Sequence, residues 1–85
     1  MAKWIKASGE VVEVEAARPG KKFTLDELQR YVGGYIERLE IAPRLDMICN
    51  EEGKLHGLPV NQVATALART QVIVGDVLVV ERGKW

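Results

Sequence analysis

Near the start of the chain, apolar and charged positions alternate. Val12 and Val14 fall on one side, Glu13 and Glu15 on the other. A period of two is that of a half-buried strand. Residues 10–15 and 3–7 thus read as two strands, and Ser8-Gly9 between them as a two-residue hairpin turn. Arg18-Pro19-Gly20 then interrupts regular structure. From residue 25 to about residue 32 the period becomes helical. Leu25, Leu28 and Val32 share a face, and Asp26, Gln29 and Arg30 fall largely outside it. Thr24 is a good N-cap with Glu27 three residues on, a capping box, and Phe23 with Leu28 forms a hydrophobic staple. Asp26 and Glu27 favour the positive end of the helix dipole. Gly33-Gly34 ends the helix.

Residues 35–41 read as a third strand, Pro43 as a turn, and residues 45–49 as a fourth strand. Leu45, Met47 and Cys49 lie on one face of it, opposite Asp46, Ile48 and Asn50. A second helix is predicted from about residue 60 to 68. Its apolar stripe is Val60, Val63, Ala64 and Leu67, with Pro59 suited to the first turn. Residues 72–74 and 77–80 are apolar on both faces, as a central, covered strand is. The order β-β-α-β-β-α-β describes an α+β fold: a small single domain over residues 1–85, with a mixed or antiparallel sheet and two helices.

Length and composition narrow the function classes. The chain has 85 residues, 47% of them apolar and 28% charged, enough for one globular core rather than two. Lys plus Arg and Asp plus Glu each number 12, so no net charge draws the protein to nucleic acid or anionic lipid. The longest apolar run, residues 72–80, is broken by Gly75 and Asp76 and falls far short of the roughly 20 residues that span a bilayer. With a single cysteine and no signal-peptide pattern, a reducing, cytoplasmic location is expected.

The residue types that carry chemistry are sparse. Cys49 and His56 are the only thiol and imidazole, and Cys49 falls on the apolar face of a strand, where a small buried cysteine is common. One Cys and one His do not make a zinc site. Glu51 and Glu52 are adjacent and point apart in extended chain. Gly33-Gly34 lies at the wrong end of a helix to hold a phosphate. No catalytic residue, metal site or cofactor is therefore expected, and the protein is expected not to be an enzyme.

Residues 50–61, NEEGKLHGLPVN, are dense in residues that shape backbone. Their polar side chains Asn50, Lys54, His56 and Asn61 form a candidate ligand or partner surface if the loop folds back on itself. The alternative is that both asparagines hold the loop by backbone hydrogen bonds and helix capping.

The strings VGGYIE (residues 32–37), CNEEGKLHGLPVN (49–61) and IVGDVLVV (73–80), with the helix LDELQRYVGG, resemble the family called domain of unknown function 3846. The likeness covers about residues 25–80. It implies a small α+β domain often encoded by phages and plasmids, with no agreed activity and hence no catalytic residue to carry over. Three functions are expected. The first is a non-enzymatic binding protein of a mobile element that occupies a host or phage protein, such as a defence component. The second is a binder of a small ligand such as a nucleotide. An 85-residue monomer has little room for a deep pocket of about 300 Å³ or more, so this one calls for a homo-oligomer. The third is nucleic-acid binding through Lys3, Trp4, Lys6 and the basic C-terminal residues, the least favoured given the charge balance. No membrane contact is expected.

Overall fold

The computed structural model describes residues 2–85. The elements are β1 (Ala2–Ile5), β2 (Val11–Val14), α1 (Leu25–Val32), β3 (Ile36–Ala42), β4 (Leu45–Asn50), α2 (Gln62–Ala68) and β5 (Val77–Glu81). The five strands form one sheet in the order β2-β1-β5-β4-β3. Every neighbouring pair is antiparallel. The predicted element order holds, and the sheet is the antiparallel of the two types expected. β5, apolar on both faces, lies at its centre with residues 77–80 buried, whereas residues 72–74, expected to share that covered position, contribute only the Val74 bridge to strand pairing and leave Val72 48% exposed.

Alternation along the strands sorts the core into two layers. Ala2, Ile48, Leu78 and Val80 point to one face, where Phe23, Leu28 and Val32 cover them. Ile5, Met47, Cys49, Val77 and Val79 point to the other, where Ala64, Ala68 and Ile73 cover them. Each helix therefore lies on its own face of the sheet. Fully burying a Leu, Met or Ile side chain contributes about 1.5–3 kcal/mol, so Leu28, Met47, Ile48 and Leu78, all fully buried, are the principal apolar anchors.

The first helix is built as its sequence predicts. The Thr24 side chain accepts from Glu27 N and the Glu27 carboxylate accepts from Thr24 N. Gly33 closes the helix in the left-handed region with φ 79°, its N–H bonded to the Gln29 carbonyl. Phe23 and Leu28 join one buried cluster, as a staple should.

Four further details depart from expectation. Leu25 is 59% exposed, because at the first helical position it lies beyond the layer that Leu28 and Val32 reach. The β1–β2 connection is the three-residue loop Ala7-Ser8-Gly9, closed by Lys6 N to the Glu10 carbonyl and Gly9 N to the Lys6 carbonyl. Gly9 adopts φ 101°, the left-handed residue such loops require. α2 starts only after Asn61, because Val60 forms a bridge with Val74 instead of joining the helix, and Pro59 precedes that bridge. Finally, α2 buries Ala64 and Ala68 while Val63 and Leu67 stay partly exposed, at 38% and 40%. The alanines let the helix lie close to the sheet, which turns the larger residues outward.

Candidate functional site

The 50–61 segment is anchored at both ends by an asparagine. Asn50 ends β4. Its Nδ2 donates to the Val32 carbonyl at 3.2 Å, and its Oδ1 accepts from Glu52 N at 2.8 Å. One side chain thus ties the strand end to the end of α1 and starts the next turn. Gly34 leaves room for it: a Cβ there would lie 2.9 Å from Asn50 Nδ2. Successive turn bonds then wind the chain, from His56 N to the Glu52 carbonyl, Gly57 N to the Lys54 carbonyl and Leu58 N to the Gly53 carbonyl.

At the other end Asn61 is fully buried. Its Nδ2 donates to the carbonyls of Ile5 and Gly75, each at 2.9 Å, and its Oδ1 accepts from Ala64 N at 3.0 Å. It caps α2 and also joins β1, α2 and the approach to β5. Its amide is fully used inside the protein.

The four candidate residues do not converge. Asn50 and Asn61 are buried in separate networks, and Lys54 and His56 are exposed. His56 Nε2 lies 3.6 Å from Glu52 Oε1. Asn50 is the point where the surroundings of the other two meet. It borders an open groove with His56 on the α1 side, and a hollow of about 250 Å³ with Lys54, Glu37 and Cys49.

The groove, about 490 Å³, runs between the end of α1 and the 50–61 segment and is lined by Trp4, Arg30, Tyr31, Asn50, His56 and Asp76 among others. A single chain therefore offers an open groove of this volume rather than a deep, enclosed pocket. The segment is tied to the end of α1 and to residues 73–75, which lead into β5. Trp4 and Tyr31 meet edge to face with centroids 5.2 Å apart, and Trp4 Nε1 donates to the Tyr31 carbonyl at 3.1 Å. Exposed apolar side chains stand around this end of the molecule: Leu55 at 80%, Tyr35 at 65% and Val60 at 51%.

Cys49 is buried, and burial, with the Glu37 charge adding to it, pushes its thiol up to about 11. At neutral pH it is a packed thiol rather than a thiolate. It borders the α2-side hollow and His56 borders the groove, so they form no thiol–imidazole pair. Among the described residues no three His, Cys, Asp or Glu side chains are grouped to hold a metal ion, and no helix is long and apolar enough to cross a membrane.

One polar cluster escaped the sequence reading. Asp46 is fully buried, its Oδ1 accepting from Arg38 Nη1 at 3.2 Å and Arg82 Nη2 at 3.1 Å, its Oδ2 from Trp85 Nε1 at 3.1 Å. Arg82 also reaches Glu40 at 2.9 Å. Burial pushes the Asp46 carboxyl up, but the bonds from Arg82 and Trp85 and the charges of Arg82 and Arg38 outweigh it and hold it below its ordinary value. A charged residue inside the apolar run of β4 was the available signal, because a buried carboxylate demands partners. The cluster pins the C-terminal residues to the sheet. It also engages Arg82, one of the basic C-terminal residues of the expected nucleic-acid surface. Trp4 and Lys3 point to opposite faces, since Trp4 pairs with Leu78 and Lys3 with Val79.

A family model described as Domain of unknown function (DUF3846) matches residues 5–84. No curated protein and no solved structure matches the chain.

Proposed function

We propose that this chain, which belongs to the family described as Domain of unknown function (DUF3846), is a small non-enzymatic binding protein of a mobile element. It acts in the cytoplasm on a host protein, for example a defence component. The observation that carries this reading is how the 50–61 segment is mounted. Both ends are locked by buried asparagines, yet Leu55 within the segment is 80% exposed, next in sequence to the groove residue His56. Fixing an apolar side chain in water brings no gain to the monomer. Fixed in advance, it binds a partner at lower entropic cost. Apolar and aromatic anchors of this kind concentrate binding energy.

Burying a largely exposed Leu contributes about 1.5–3 kcal/mol, so losing it weakens a complex about 10- to 100-fold. Immobilised protein should retain a stoichiometric partner from host lysate. Leu55→Asp should lose that partner, while Glu13→Gln on β2 keeps it. No stoichiometric partner, or one that Leu55→Asp retains equally, overturns the proposal.

A second reading, a small ligand such as a nucleotide, is favoured by the groove itself, with the aromatic Trp4 and Tyr31 beside Arg30 and His56. Calorimetry against a nucleotide panel tests it. Binding should weaken in His56→Ala, and a panel without heat removes this reading.

A further inference from the structure

The sheet ends in two edges, β2 and β3. β2 (VVEV) has no cation to set against its Glu13. β3, with the sequence IERLEIA, has both signs of charge. The Tyr35 carbonyl accepts from Glu51 N at 2.9 Å, and the register places Ile36 opposite Asn50. Bonding alternates along an antiparallel pair, so Glu37 and Leu39 turn their backbone groups toward β4. Arg38 and Glu40 turn theirs outward from the edge.

We infer that β3 is a self-recognition edge: two copies of this chain join through it antiparallel, about a two-fold axis at Leu39. The register follows from parity and charge. Opposed residues must both face outward or both inward, so β3 residues pair only in registers whose two numbers have an even sum. Centring on Arg38 sets that guanidinium against its own copy. Centring on Glu40 sets carboxylate against carboxylate. Centring on Leu39 places each Arg38 opposite a Glu40, twice over, with both residues exchanging backbone bonds. Opposite charges directly across a ladder stabilise it, and like charges destabilise it.

The side chains are available for this. Arg38 uses Nη1 for Asp46, and Glu40 uses Oε2 for Arg82. Their remaining guanidinium N–H groups and Oε1 have no bond among the described residues, and both side chains are nearly half exposed. The register shift between Glu40 and Ala42 ends the new ladder just past Glu40, which makes the pairing short and specific.

A second observation points to the same occupant. Among the strands, α2 lies closest to β3, on the face to which Leu39 points. Its outward residues Val63 and Leu67 are 38% and 40% exposed. A two-fold axis at Leu39 brings the two leucines together in a close, non-hydrogen-bonded pair and sets an α2 from each copy beside it. Val63 and Leu67, only partly covered in the monomer, then lie on the same side of the joined sheet as the paired leucines, where an isologous interface can cover them further.

Sedimentation of the wild-type chain up to about 1 mM, where even a 1 mM Kd populates the dimer, should show the mass rise from 9.5 kDa toward twice that. Amide exchange at Arg38 and Glu40 should slow with concentration. Leu39→Cys should form a disulfide-linked dimer under mild oxidation at least about tenfold faster than Glu37→Cys, because only position 39 meets itself across the axis. Glu40→Gln, which can still accept from Arg82, removes the carboxylate opposite each Arg38 and should weaken the dimer. A monomer at every concentration overturns the inference. So does a dimer in which Leu39→Cys shows no preference and the Arg38 and Glu40 amides exchange as in the monomer.

Discussion

Asn61 is both a helix cap and a bridge, and two substitutions separate those roles. Its Oδ1 accepts from Ala64 N, and its Nδ2 donates to the Ile5 and Gly75 carbonyls, all inside the core. Asn61→Ala removes the cap, worth about 1 kcal/mol. It also removes two further bonds of about 1 kcal/mol each and leaves buried groups short of partners, at roughly 1–3 kcal/mol for a group with no other bond. The expected total is about 3–5 kcal/mol, against roughly 4–13 kcal/mol for a domain of this size. Asn61→Asp is the sharper test. Aspartate caps helices as well as asparagine does, so a residue that only capped would tolerate it. Here the second carboxylate oxygen would replace an amide that lies 2.9 Å from two carbonyl oxygens, with no solvent to relieve the repulsion. At neutral pH the Asp variant should be at least as unstable as the Ala variant, and it should recover partly in acid as the carboxyl regains a proton. Urea unfolding followed by the fluorescence of Trp4 and Trp85 reads this directly, with an unchanged slope confirming that stability alone has moved. An Asp variant within about 1 kcal/mol of wild type would refute the bridging role.

Two further outcomes follow from the buried groups. The folded-state pKa of Asp46 is depressed from an ordinary value of 3.8, so its contribution is complete above that value and is lost as pH falls through the lower folded one. Asp46→Asn should cost about 3–5 kcal/mol at pH 7, as when a buried ion pair loses one partner. It should also flatten the loss of stability below about pH 4, and an unchanged acid profile by circular dichroism would count against the network. Cys49, with its thiol raised to about 11, should react with a thiol reagent at pH 8 far more slowly in the folded protein than in guanidinium. Equal rates would show an open thiol.

Much of the architecture was legible because it rests on short-range rules. The capping box at Thr24 and Glu27, the glycine stop at Gly33 and the two faces of β4 need only neighbouring residues, and all are present. Of the α2 stripe, Ala64 is buried as read, but the close approach of helix to sheet favours Ala68 as its buried neighbour over the larger Val63 and Leu67. Asp46 was seen on its face of β4, but not its partners, which arrive from β3 and from the C-terminal residues.

The 50–61 segment divides along the same line. Its turns and its asparagine anchors were among the readings available from local composition, since glycine, proline and asparagine restrict their own neighbourhoods. Which groups Asn61 joins depended on bringing Ile5 and Gly75 beside it, and only the closed sheet does that. Local chemistry set the elements and their ends. Distant contacts, made once the chain had closed, decided which polar groups were consumed inside the protein and which side chains were left exposed.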